Sequence, residues 1–358
     1  MRPFVSVQAG LTALVLARLA RGRNRRGPLA PLAGAPDATV SVVIPARDEA
    51  DRIGPVLRAL ADDPAVHELI VVDDHSTDET ARVAVNHGAR VVLAPPLPTG
   101  CVGKPSALQH GLEQATGELV VTLDADVRPE PGLVVALADA LLAAPACTLL
   151  TGTVRFDCRS LGERFLHPAF LASLVYRFGP GDVDGFQPRP SRAVANGQCL
   201  AARREELLAA GGFALSAEHM TDDVALARAL RRRGWELLTV DVSDLLEVRM
   251  YTSAAETWTG WSRSLMAPDV TAAPWLALDV ATLWAVQALP LPRLLARRGS
   301  RLDLGLLVLR LALHGAFRRT YRDHGAAFWL APLADLPAVA RLTWSVLRAD
   351  RRWRGRRY

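Results

Sequence analysis

Leu119-Val120-Val121-Thr122-Leu123-Asp124-Ala125-Asp126 is a short apolar run that ends in two carboxylates one residue apart. An unbroken run of apolar and β-branched residues reads as a strand buried on both faces. The pattern occurs twice upstream. Residues 40–44 run into Pro45-Ala46-Arg47-Asp48-Glu49, and residues 69–72 run into Asp73-Asp74-His75-Ser76-Thr77-Asp78. Between the runs lie segments of helical spacing at 51–60, 77–87 (closed by Gly88) and 105–115, with a third short strand at 91–93. Alternating strands and helices predict an α/β fold: a Rossmann-like, mostly parallel sheet with helices on both faces. Such sheets bind ligands beyond the carboxyl ends of their strands. Here those ends carry the acids.

The chain has 358 residues, enough for one large domain and a smaller appendage. Half of them are hydrophobic, and the mean hydropathy is +0.14. The net charge of +5 comes largely from arginine. Arg21, Arg23, Arg25 and Arg26 form one cluster; Arg351, Arg352, Arg354, Arg356 and Arg357 form another. Each cluster flanks an apolar segment, which suits anionic lipid headgroups better than nucleic acid. No aromatic-interleaved basic stretch points to RNA or DNA. The cysteines at 101, 147, 158 and 199 form no CxxC pair, so ordinary thiols are expected rather than a zinc site or a disulfide framework.

Residues 4–19 are apolar apart from Gln8 and Arg18, and most of the charge follows them. A cleaved signal peptide has the opposite order. A marginal anchor with its C-terminal end in the cytoplasm, or a shallow interfacial helix, fits instead. Residues 27–38 read as a Pro/Gly/Ala linker. After Met250 come apolar stretches at 274–289, 302–317 and 326–339, interrupted by Asp279, by Arg310 and His314, and by Pro332 and Pro337. Trp258, Trp261, Trp275 and Trp284 sit near the start of this region. The expected division is an N-terminal anchor and linker (1–38), a catalytic domain (39–250) and a membrane-associated helical region (251–358). An apolar helical subdomain without membrane contact is the other reading of that last part.

The acids suggest a chemistry. Asp124 and Asp126, leaving a strand on one turn, can share an octahedral divalent cation with diphosphate oxygens; alone, such a triplet is equally a solvated turn. Carboxylates at strand ends, as at 48, 49, 73 and 74, can accept from nucleobase N–H groups or ribose hydroxyls. Asp78 reads better as a first-turn partner of the helix dipole. Lys104 precedes a helix whose N-terminus could point at a phosphate, or it is a solvated loop lysine. Asp222-Asp223 precedes an amphipathic VALARALRRRGW segment, and Asp223 faces inward only if that helix starts near Thr221.

These four acidic segments and the Gly103-Lys104 segment, with Asn196-Gly197-Gln198, Arg203-Arg204-Glu205 and Gly211-Gly212-Phe213 between them, resemble the family 2 glycosyltransferases of GT-A fold over residues 41–261. The resemblance implies a hexosyltransferase that moves one sugar from a UDP- or GDP-sugar with inversion, assisted by Mg²⁺ or Mn²⁺. It implies that Ala46, Asp48 and Glu49 line the base and ribose, that Asp73 and Asp74 bind the nucleobase, and that Lys104 lies beside the phosphates. Asp124 and Asp126 would be the metal-binding motif, with Asp126 the closer ligand. Asp223 would be the catalytic base, with Asp222 in place of the usual Glu. Processive members carry Gln-x-x-Arg-Trp where this chain has Thr259-Gly260-Trp261-Ser262-Arg263, which argues for single-sugar transfer. The Val102-Gly103-Lys104-Pro105 loop, the NGQ phrase and the apolar C-terminal stretches look most like enzymes that glycosylate membrane lipids such as carotenoids, hopanoids or polyprenyl compounds. The implied partners are a nucleotide sugar, a lipid acceptor and the cytoplasmic membrane, with the catalytic domain facing the cytoplasm. The loop over 179–192, rich in glycine and proline, could cover the acceptor. Two rivals stay open: a nucleotidyltransferase, whose Gly-rich signature near the first strand is missing from PARDEA, and a catalytically idle membrane scaffold.

Overall fold

The computed structural model describes residues 2–348, 352–353 and 356–357, with side chains from Phe4 to Arg348. Arg351 and Arg354 of the second arginine cluster lie outside the described residues, and the side chains of Arg352, Arg356 and Arg357 lie outside the described side chains. In chain order come α1 (Arg2–Ala20), β1 (Val40–Ala46), α2 (Gly54–Ala61), β2 (Glu68–Asp73), α3 (Thr80–Asn86), β3 (Arg90–Leu93), α4 (Gly103–Gln114) and β4 (Leu119–Leu123). They are followed by α5 (Leu133–Leu142), β5 (Thr148–Thr153), α6 (Leu161–Phe178), β6 (Cys199–Arg203), α7 (Asp222–Arg232) and β7 (Glu236–Asp241). The longer helices after them are α8 (Ala254–Ser264), α9 (Ala273–Thr282), α10 (Arg301–Ala316) and α11 (Asp335–Leu347). The chain forms two units. A sheet unit holds Arg26–Arg155 and Gly185–Met250; a helical unit holds Phe156–Asp184 with the chain up to Arg25 and the chain from Tyr251 to Asp350. Residues 156–184, placed by chain order inside the catalytic domain, thus group with the terminal helices.

In the sheet unit the strand order is β3-β2-β1-β4-β6-β5-β7. Strands β1 to β4 run parallel, as their β-branched runs predict, and β5 is parallel to β7. Adjacent Val42 and Val43 are both fully buried, so both faces of β1 are covered. The exception to parallel order is β6, antiparallel to both β4 and β5. Its register sets Cys199 opposite Leu123. The amino end of β6 therefore arrives at the edge where β1, β2 and β4 end, and brings residues 196–198 with it. Helices α4 and α7 pack on the sheet through Ala107, Leu108 and Leu112 and through Leu226 and Leu230. This is the α/β arrangement expected, with a mostly parallel central sheet. No disulfide forms among the described residues.

The helical unit departs from expectation. No helix in 251–348 is long and apolar enough to cross a membrane; among the described residues only the helix over 4–24 is. The apolar stretches break because their charges pair inside the unit. Asp279 meets Arg177 at 3.0 Å, and Arg310 meets Asp335 at 2.8 Å, all four side chains being buried. At 283–288 the backbone widens into a π-turn. Within it, Gln287 donates to the Ala169 carbonyl and to Asp335. Trp261 is not presented outward: it packs edge-on to His167 and stacks at 6.4 Å with Phe170. The first half of the 179–192 loop is tied down by Arg25, which pairs with Asp182 at 2.6 Å. Helix α6 opens with a capping box in which Ser160 and Glu163 satisfy each other's backbone N–H groups. Ser160→Ala is expected to cost about 1 kcal/mol, read as a lower midpoint in chemical denaturation.

Candidate active site

Two loops at the carboxyl edge are stitched together by their own acids. Asp48 has a left-handed backbone (φ 52°), and its N–H donates to Ser76 Oγ. In return its Oδ1 accepts from the Thr77 N–H at 2.7 Å. Asp78 accepts from the Ala50 N–H at 3.1 Å and the Thr80 N–H at 3.0 Å, so it ties the start of α3 to the first loop. Burial opposes ionisation of Asp78, yet these bonds hold its carboxyl below the usual carboxylate range. Asp73 is buried and accepts from the Ser76 N–H at 3.1 Å. The Asp74 N–H donates to the carbonyl of Ala46 at 2.8 Å, and Arg47 donates to the Asp74 carbonyl at 2.6 Å. The residues expected around base and ribose thus share one corner. Oxygens of Asp48 and Asp73 there serve the loops themselves.

The second corner is more strongly charged. Helix α4 starts at Gly103, two residues before the expected start, because proline is tolerated in a first turn. That places Lys104 on the helix, with its Nζ 2.6 Å from Asp124 Oδ1. Helix α7 starts at Asp222, after Thr221, which is the condition set for Asp223 to face inward. Asp223 Oδ2 accepts from the Gly197 N–H at 2.9 Å and its Oδ1 from the Val224 N–H at 2.8 Å. Gly197 lies between the groups: a Cβ there would be 3.2 Å from Asp223 Cβ and 3.4 Å from Lys104 Nζ. Asn196 fixes this turn by donating to the Gly152 carbonyl at 2.9 Å, while the Asp124 N–H donates to the Gln198 carbonyl.

Electrostatics follow from crowding. Burial disfavours the Lys104 ammonium, but Asp124, Asp222 and Asp223 outweigh it and raise its pKa. Burial, then the charges of Asp223 and Asp124, push Asp222 up to about 7 against the opposing pull of Lys104. Asp223 is raised too, chiefly by burial. Asp126 is pushed up to about 7 by burial, then by Asp124 and Glu49. Its Oδ1 is buried without a hydrogen-bond partner. Glu49, Asp124, Asp126, Asp222 and Asp223 thus crowd one another against the opposing charges of Lys104 and Arg52, an arrangement that a divalent cation would relieve. Among the described residues no three acid, histidine or cysteine side chains form a metal site by themselves. That suits Mg²⁺ or Mn²⁺, hard ions often held by one or two carboxylates plus substrate phosphates.

The Gly197 N–H is the contributor that sequence reasoning missed: the NGQ phrase was visible, but its contact with Asp223 depends on the antiparallel β6. The other linking phrases serve the fold. Arg203 donates to carbonyls at the end of α5, including that of Leu141 at 3.0 Å, and Phe213 is buried in the core. Gly197→Ala is expected to slow turnover by about tenfold, because the added methyl must shift Asp223 or Lys104 by a few tenths of an ångström. Single-turnover rates measure it, and a rate equal to that of the parent would remove Gly197 from the site.

Residues 36–264, more than half of the chain, match the model of the family described as Glycosyltransferase like family 2. The chain belongs to family 2 of the glycosyltransferases. It is 40% identical over 124 residues to glucosyl-3-phosphoglycerate synthase of Mycolicibacterium paratuberculosis, covering 33% of this chain and 37% of that protein. It is 24% identical over 254 residues to 4,4'-diaponeurosporenoate glycosyltransferase of Staphylococcus haemolyticus, covering 69% and 66%. The matches therefore span less than two thirds of either relative. Among solved structures, a mannosyltransferase of Pyrobaculum calidifontis, in complex with GDP-Man and Mn²⁺, aligns over 96% of this chain and 98% of its own, with TM-score 0.56 and 19% identity. That likeness is one of fold.

Proposed function

We propose that this family 2 enzyme transfers one sugar, with inversion, from a UDP- or GDP-sugar to a hydroxyl or carboxyl of a membrane lipid. The observation that carries the reaction is the placing of Asp223, fixed by the Gly197 N–H, in the same corner as the Lys104–Asp124 pair. A base and a phosphate-side charge pair then lie close enough to serve one substrate. Where the acceptor is a hydroxyl, Asp223 accepts its proton as that oxygen attacks the anomeric carbon from the face opposite the nucleotide; a carboxylate acceptor attacks already ionised. Lys104 offers its ammonium to the leaving diphosphate, and the loops holding Ala46, Asp48, Glu49, Asp73 and Asp74 bind the base and ribose. Asp126 with Asp124 would hold a divalent ion, which would neutralise charge on the leaving diphosphate. The mannosyltransferase of similar fold was solved in complex with GDP-Man and Mn²⁺, in keeping with that chemistry.

The lipid acceptor has a narrower basis. One relative is named for 4,4'-diaponeurosporenoate, a carotenoid carboxylate. Another is named for 3-phosphoglycerate, a water-soluble acceptor, and matches this chain at higher identity over a shorter stretch. The apolar helix 4–24 and the arginines after it favour a site at the cytoplasmic membrane, with catalysis on the cytoplasmic side where nucleotide sugars are made. Incubation with radiolabelled UDP- and GDP-sugars, in the presence of either extracted lipids or 3-phosphoglycerate, tests the acceptor class. Label in the organic phase is expected. Label carried by phosphoglycerate alone would overturn the lipid acceptor and keep the reaction.

A further inference from the structure

Three helices of the helical unit bury polar side chains and expose apolar ones. On α10, Asp303, Arg310 and His314 are buried, whereas Leu304 and Val308 are 55% and 59% exposed and Leu311 is exposed beside them. Its outward face, 304–305, 308, 311–312 and 315–316, holds only leucine, valine, alanine and glycine. Helix α1 repeats this, with Gln8 and Thr12 buried and Val7 and Leu16 exposed. Helix α11 does so again, with Asp335 and Ser345 buried and Leu336, Trp344 and Leu347 exposed. Several of the buried polar groups pair inside the unit: Gln8 donates to Asp303 at 2.8 Å, and Arg310 donates to Asp335. In water this pattern is unfavourable twice over, because charges are desolvated while leucines are wet. In hydrocarbon it is favourable, since polar side chains of membrane helices face the bundle interior and pair there.

The ends of these helices indicate what kind of surface covers the face. Exposed Arg297, Arg298 and Arg301 precede the apolar face of α10, and exposed Arg318 and Arg319 follow it. The Arg348 guanidinium lies 4.5 Å from the centre of the exposed Trp344 ring. Arginine and tryptophan at the margins of an apolar face match a bilayer with anionic headgroups.

We infer that the helical unit is embedded in the hydrocarbon of an anionic bilayer through the outward faces of α1, α10 and α11. Because α10 is 16 residues long, or about 24 Å, it falls short of the ~30 Å of a hydrocarbon core. It therefore lies within the membrane without having to cross it. This insertion rests on the membrane location proposed above and is independent of the sugar-transfer reaction.

The test uses the full chain and vesicles of phosphatidylglycerol and phosphatidylcholine with acyl chains brominated or not. Trp329 and Trp344, both exposed, should be quenched by the brominated chains, and a Trp329→Phe/Trp344→Phe variant should lose most of that quenching. Leu304→Glu/Val308→Glu should weaken vesicle binding by ~10²-fold or more, as charge at hydrocarbon depth does. Its circular dichroism and its hydrolysis of donor should stay within a few-fold of the parent. Absence of quenching would overturn the insertion, as would complete release of the protein by high salt, which would leave arginine contacts alone. A lipid-free dimer abolished by the same substitutions, with vesicle binding intact, would assign the face to a second copy of the chain. None of these outcomes touches the assignment of sugar transfer, which is read separately from donor turnover.

Discussion

Asp223→Asn is expected to lower the rate of sugar transfer by ~10²–10⁴ while leaving donor affinity within a few-fold of the parent. The size follows from what Asn keeps and what it loses. Asp223 is held by the N–H groups of Gly197 and Val224, and Asn can keep one of these contacts in the same space. The Lys104–Asp124 pair does not involve the substituted oxygens, so the phosphate side of the site is retained. What disappears is the capacity to accept a proton. The pH profile gives a second reading of the same group. Burial raises Asp223 above the ordinary carboxylate range, and the base works only when ionised. Activity is therefore present above that raised pKa and is lost as pH falls through it; the Asn variant should lack this acidic limb. Rates from single turnover with enzyme in excess, together with donor binding by calorimetry, separate the two effects. An Asn variant that turns over within a few-fold of the parent would move the base elsewhere.

The features written in local chemistry were legible in the sequence. The runs at 40–44, 69–72 and 119–123 form parallel strands because unbroken β-branched residues suit a sheet covered on both faces, and the acids after them gather at one edge. What escaped was set by partners distant in the chain. The short CLAAR strand has no β-branched residue, and its antiparallel pairing with Leu119–Leu123 and with Leu150–Thr151 brings Gly197 to Asp223. Asp48 and Asp73 look alike in sequence to any ligand-binding acid, yet each spends an oxygen on the turn at residues 76–77. The C-terminal stretches read as candidate membrane segments because hydropathy counts residues without regard to direction. Asp279, Arg310 and Asp335 interrupt them, and each finds its counter-charge within the same unit.

Asp126→Ala is expected to abolish the response of donor binding to Mg²⁺ or Mn²⁺, and to do so without loosening the fold. A buried acceptor oxygen without a partner costs ~1–3 kcal/mol, and Asp126 Oδ1 is such an atom. Burial, with Asp124 and Glu49 nearby, pushes its carboxyl up to about 7, so near neutral pH it stands between its charged and uncharged forms. A bound cation would favour the charged form and give that oxygen its partner. In the parent, calorimetry should therefore find tighter nucleotide binding when metal is present, with protons released as the ion binds, since a carboxyl near its pKa must ionise to take it. In the Ala variant nucleotide binding should be the same with and without metal, and the proton release should vanish. The melting midpoint in the absence of metal should be no lower than that of the parent, because the substitution removes an unsatisfied acid from a crowded anionic corner rather than a stabilising contact. That midpoint guards against misfolding as the cause of a lost response. If parent and variant bind nucleotide with equal metal dependence, Asp126 does not hold the ion, and its unpartnered oxygen needs a different explanation.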